Sequence, residues 1–138
     1  MLVCHPGVVV KFARTADGVA IGFECFGQGP TIVRACGGGE TLRMFAEEAT
    51  PVFSSLLASL AGSCSLVVFD RRGTGWSDRS ELDCLMEAAQ ADLAAVIDAV
   101  ADGPVAVFGA FEQAAVAVMY AARHPDVVSR FGLSEWQH

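Results

Sequence analysis

Hydrophobic and polar residues alternate in short blocks along this chain. VVVKFAR (8–14) and VAIGFECF (19–26) are β-rich runs separated by TADG (15–18), and an Asp-Gly turn between such runs predicts a hairpin. TIVRAC (31–36) follows as a third strand, entered through GQGP and left through three glycines. Thr50-Pro51 reads as a helix cap followed by proline at the first helical position, opening PVFSSLLASLA, which Gly62 closes. SLVVFD (65–70) is a short, continuously apolar strand of the kind buried on both faces.

The longest helical signal runs from Leu82 to Ala101. Leu82, Leu85, Met86, Ala89, Leu93, Val96, Ile97 and Val100 recur at three- and four-residue steps, which leaves Glu87, Gln90, Asp92 and Asp98 for the surface. Asp102-Gly103-Pro104 ends it. VAVF (105–108) is expected to be a second doubly buried strand, QAAVAVMYAARH (113–124) a helix of small residues, and SRFGLS (129–134) a last strand. A hairpin followed by strand–helix alternation predicts an α/β fold with a doubly wound, mostly parallel sheet. Repeats and linkers are absent, so residues 1–138 are expected to form a single domain. Sheets of this type place ligands at the carboxyl ends of their strands, which directs attention to the loops after Cys36, Asp70 and Phe108.

Composition narrows the function classes. The chain is 53% hydrophobic, too apolar for a disordered segment, yet holds no unbroken apolar run of membrane-spanning length. Its net charge is −7, and Lys and Arg cluster nowhere beyond Arg71-Arg72, which argues against nucleic acid as a partner. Cys4, Cys25, Cys36, Cys64 and Cys84 form no C-x-x-C pair, so neither a metal site nor a disulfide framework is expected. With no basic, apolar leader at the amino terminus, the expected setting is a reducing cytoplasm, without membrane or cofactor.

Three segments in order resemble the α/β-hydrolase superfamily. They are ADGVAIGFECFGQGPTIVRACGG, the turn FDRRGTGWSD, and VAVFGAFEQAAVAVMYAARHPDVVSR. The flavour is similar to hydrolase-like domains fused to nucleotide cyclases or helix-turn-helix regulators, where the strand-to-helix turn commonly reads G-x-S-E-G-G. The resemblance covers the amino-terminal half of the family fold, and implies a truncated α/β-hydrolase-like domain of about six strands and three main helices. The turn matches D-x-R-G-x-G-x-S at Asp70, Arg72, Gly73, Gly75 and Ser77, which the resemblance makes a structural brace.

The same resemblance lays G-x-S-x-G on Gly109, Phe111, Glu112 and Gln113. Phe111 takes the position of the nucleophile, and a phenyl ring has no atom able to form an acyl-enzyme. Gln113 stands where the second glycine is expected. Holding a bulky residue at positive φ costs about 1–3 kcal/mol, so without a nucleophile to present the turn is expected to relax into an ordinary connection. The family's acid and histidine would follow later strands. His5, His124 and His138 do not match them; His124 reads as a helix-terminal residue. A residual oxyanion hole would use backbone amides of Glu112 and of Gly37 or Gly38.

The expected function is therefore a catalytically inactive binding or interaction module, or a remnant. The alternatives are an esterase-like serine hydrolase completed by another chain and a small-molecule sensor using the residual pocket. CGGGE (36–40) lacks the spacing and lysine of a phosphate loop and reads as a flexible loop, with Cys36 an inert thiol. An uncovered sheet edge predicts a homo-oligomer or a protein partner.

Overall fold

A computed structural model describes residues 4–5, 8–37, 39–47, 51–60, 62–79 and 86–134. The chain order is β1 (Cys4–His5), β2 (Val8–Val9), β3 (Lys11–Arg14), β4 (Ala20–Phe26), β5 (Thr31–Ala35), α1 (Leu42–Ala46), α2 (Pro51–Leu60), β6 (Ser65–Phe69), α3 (Met86–Val100), β7 (Val105–Ala110), α4 (Gln113–Arg123) and β8 (Val128–Ser134). Strands β3 to β8 build one sheet in the order β3-β4-β6-β5-β7-β8, while β1 and β2 form a separate small ladder.

The β3–β4 hairpin is antiparallel and turns through Gly18 at φ 88, where the Val19 amide donates to Thr15 Oγ1 at 2.9 Å. Strand β4 is also antiparallel to β6, whereas β6, β5, β7 and β8 run parallel. A parallel pair needs a crossover between its strands, and α1 with α2, α3, and α4 supply these. Thus the sheet is doubly wound and mostly parallel, with the antiparallel hairpin at one edge.

Two apolar layers hold it. Val33, Ala35, Val67, Phe69, Val105 and Val107 meet Leu93, Val96 and Ile97 of α3 and Val116, Ala117 and Tyr120 of α4. On the other face, Leu66, Val68 and Cys36 pack under Leu42 and Phe45 of α1. Strand β6 is therefore covered on both sides. Strand β7 departs from its expected double burial: Val105 and Val107 are buried, but Ala106 and Phe108 are only half-buried. The reason is topological, because on that face α1 packs chiefly over β4 and β6.

Helix α3 is described from Met86, so the expected start at Leu82 lies outside the described residues. Within it the surface assignment of Gln90 and Asp92 is wrong. Both are buried, at 7% and 1% exposure, because each has a partner that makes burial tolerable. Gln90 accepts from Arg123 of α4 at 3.2 Å, and Asp92 pairs with Arg72. Among the described residues no helix is long and apolar enough to cross a membrane.

Candidate functional site

Three loops leave the carboxyl ends of neighbouring parallel strands and meet at one end of the sheet. They are the Cys36–Gly39 loop after β5, the turn from Asp70 to Asp78 after β6, and the turn through Phe111 after β7.

The last of these decides how much of the site persists. Phe111 has φ 56, the only positive φ of a non-glycine residue among the described residues. The expectation that the turn relaxes is therefore overturned. Strand β7 runs to Ala110, the chain reverses at Phe111, and α4 begins at Gln113, with the Ala114 amide donating to the Phe111 carbonyl at 3.0 Å. Gly109 lets this happen, since a Cβ there would sit 2.8 Å from the Gln113 carbonyl carbon and 2.9 Å from Ala114 Cα. Close strand–helix packing, not the identity of the residue at the tip, holds the turn in its strained shape. Gln113, which stands where the second glycine is expected, is buried at 4% exposure as the first residue of α4.

The β5 loop lies against this turn. A Cβ on Gly37 would come 3.2 Å from the Ala110 carbonyl carbon and 3.0 Å from Glu112 Oε2. Gly37 and Glu112, the two described residues assigned to a residual oxyanion hole, are thus adjacent; Gly38 lies outside the described residues. The loop is anchored from behind. Arg34 Nη2 donates to both carboxylate oxygens of Glu40 at 2.7 and 2.9 Å, and the Glu40 amide donates to the Gly37 carbonyl at 3.1 Å. The Arg34 guanidinium also lies between the rings of Phe45 and Phe108, at 5.1 and 5.0 Å. Cys36 is 3% exposed, and burial pushes its thiol well above the ordinary range, so it remains protonated and unreactive.

The β6 turn is tied into both neighbours. Asp70 is fully buried; its Oδ1 accepts from the Leu42 amide at 2.7 Å and its Oδ2 from the Trp76 amide at 2.9 Å. Burial still raises its pKa, against the pull of those two donors. Ser77 Oγ donates to the Asp70 carbonyl at 2.5 Å and accepts from the Gly22 amide at 2.9 Å, which fastens the turn to β4. Gly73 and Gly75 adopt φ 82 and 48.

Arg72 is 1% exposed and spans two elements. Its backbone amide and Nε donate to Asp92 at 2.9 and 2.8 Å, while Nη1 and Nη2 donate to Asp17 of the hairpin turn at 2.8 and 3.1 Å. Hydrogen bonding to Asp17 raises the Arg72 pKa and holds the Asp17 carboxyl well below the usual range. Asp92 is pushed upward by burial.

Sequence patterns alone missed α1, the Arg34–Glu40 clamp and the roles of Asp17 and Asp92. The available signals were a lone arginine inside an apolar strand and an aspartate four residues before Val96, within the apolar stripe. Among the described residues no group of three or more His, Cys, Asp or Glu could hold a metal ion.

No protein-family model matches this chain, and no curated protein does. Solved structures do. An α/β hydrolase from Sphaerobacter thermophilus superposes with a TM-score of 0.72 at 32% identity, over 89% of this chain and 44% of that one. The chain carries the α/β-hydrolase fold. Two further likenesses within this fold are the bottromycin epimerase BotH, solved in complex with bottromycin A2, and an epoxide hydrolase from an endophytic Streptomyces. BotH has a TM-score of 0.76 at 26% identity, over 90% of this chain and 47% of its own. The epoxide hydrolase has a TM-score of 0.74 at 25% identity, over 94% of this chain and 37% of its own. The α/β-hydrolase domain described here therefore spans less than half the length of each of these three chains.

Proposed function

We propose that this α/β-hydrolase-like domain is a non-hydrolytic binding module: it keeps the shape of a nucleophile turn but presents an aromatic wall where the family presents an attacking oxygen. The observation that carries the reading is the φ of 56 at Phe111. Strained backbone of this kind concentrates at active sites and ligand clamps. Acyl transfer requires an atom at that tip that can bond to the substrate carbonyl, and the phenyl ring has none. The ligand class this reading assigns to the site beside Gly37 and Glu112 is a neutral carbonyl-bearing small molecule, bound and released unchanged.

The test pairs chemistry with binding. The purified chain is treated with a fluorophosphonate probe and with p-nitrophenyl acetate, and small amides and esters are screened by thermal shift. Neither a covalent adduct nor hydrolysis above buffer is expected, together with a rise in Tm for at least one carbonyl ligand. A stable adduct on one of the chain's own side chains overturns the reading.

A second reading draws on the epimerase among the similar structures. Epimerisation removes and returns a proton and needs no nucleophile, and Glu112 places a carboxylate beside Phe111. Its mark is deuterium uptake at a carbon acid in heavy water that Glu112→Gln suppresses.

A further inference from the structure

Between the end of β5 and the start of α1, a buried ion pair ties the loop to the sheet beneath it. Arg34 Nη2 donates to both Glu40 oxygens, and the two side chains are only 11% and 12% exposed. Arg34 Nε is buried and makes no hydrogen bond. A buried ion pair with an unmet donor is a poor device for stability alone, since well-packed apolar side chains of similar volume do as well or better. Its reach is what apolar residues could not supply. Arg34 is level with Phe108 in the β5–β7 ladder, and its guanidinium lies between the rings of Phe108 and of Phe45 in α1. The same guanidinium holds Glu40, whose amide donates to the Gly37 carbonyl. Gly37 in turn meets Ala110 and Glu112 with no space for a Cβ between them.

We propose that Arg34 and Glu40 are positioning residues of the candidate site: without touching a ligand, the pair fixes where the Gly37 backbone stands relative to the Phe111 turn. The inference rests on the binding reading above for what the site holds, but not for how its walls are held. Backbone donors recognise a carbonyl well only when they are fixed beforehand, because ordering a loose loop on binding subtracts from affinity. Gly39, at φ 85, puts a permissive residue in this loop, so its own backbone does little to fix it. Glu40 does so from the next position, through a guanidinium that is itself clamped by two rings. A lysine at residue 34 would keep the charge but lose the planar face that stacks between them.

Amide hydrogen exchange of the full chain tests this. It is read at the Glu40 amide, which closes the loop on Gly37, and at Val67 and Val68 in the middle of β6. The double variant Arg34→Met, Glu40→Leu removes both charges together and so separates positioning from stability. Its Tm should stay near that of the parent and its β6 amides should stay slow, while exchange at residue 40 rises about tenfold or more. Should the double variant fail to fold, Glu40→Gln, of the same shape, is expected to show the same selective loss. Titration with acetamide, followed at the Gly37 amide by NMR, adds the ligand: affinity should fall about tenfold or more in the variant. Acetamide that leaves Gly37 of the parent unmoved counts against the binding reading alone, and exchange then decides the positioning. A residue-40 amide as slow in the variants as in the parent overturns the proposal. So does exchange that quickens equally at residue 40 and in β6, which marks an ordinary loss of stability, or acetamide binding that the variants leave unchanged.

Discussion

The backbone of Gln113 lies directly over Gly109, leaving no room for a side chain between the end of β7 and the first turn of α4. Any Cβ at residue 109 must push the helix away from the strand. Gly109→Ala is therefore expected to destabilise the domain by about 1–3 kcal/mol, the usual cost of overpacking a close contact. Chemical denaturation checks it: the midpoint should fall with little change in the slope, and an unaltered midpoint would mean that the close packing does not hold the turn.

Phe111 carries the strain that this packing enforces. At φ 56 a residue with a Cβ is disfavoured by about 1–2 kcal/mol, whereas glycine is not. Comparing Phe111→Gly with Phe111→Ala removes the phenyl ring in both and isolates the backbone. The glycine variant should be the more stable by about 1 kcal/mol, the reverse of the order at an ordinary position. Equal stability would show that the turn opens when the ring is lost.

That turn also marks where sequence patterns stop being informative. Alternation and punctuation located both strands of the hairpin, β5, β6, β7 and the bulk of α3 and α4, because each follows from a local period or a local breaker. Side-chain function at residue 111 was legible too, since it depends only on which atoms the residue has. Its backbone conformation was not. The φ is imposed by Gly109 against Gln113 and by Gly37 against Ala110, contacts between elements that no local period encodes. Asp92 teaches the same lesson, as its partner Arg72 is twenty residues away and an unpaired aspartate in an apolar stripe reads as solvent-facing.

The Arg72–Asp92 pair should behave as a buried ion pair whose loss is asymmetric. Arg72→Met strands the Asp92 carboxylate, which is 1% exposed, and is expected to cost about 3–5 kcal/mol. The double variant Arg72→Met, Asp92→Leu removes both charges and should recover a large part of that loss. A double-mutant cycle on denaturation midpoints reads the coupling, and strictly additive effects would contradict the pairing.

Asp70 should give the domain a pH dependence opposite in sign to that of Asp17. Burial raises the Asp70 pKa above its ordinary 3.8. A carboxyl whose folded pKa is raised contributes stability that is complete below its unfolded pKa and is lost as pH climbs through the folded pKa. Asp17 is lowered by Arg72, so its contribution is present above the unfolded pKa and disappears only in strong acid. Asp70→Asn removes the Asp70 titration and turns one of two acceptors into a donor facing a backbone amide, at a cost of about 1–3 kcal/mol. The gap in Tm between the parent chain and Asp70→Asn should therefore narrow as pH rises from acid towards neutrality. A gap that widens over that range would mean the two amides at 2.7 and 2.9 Å outweigh burial and hold Asp70 ionised.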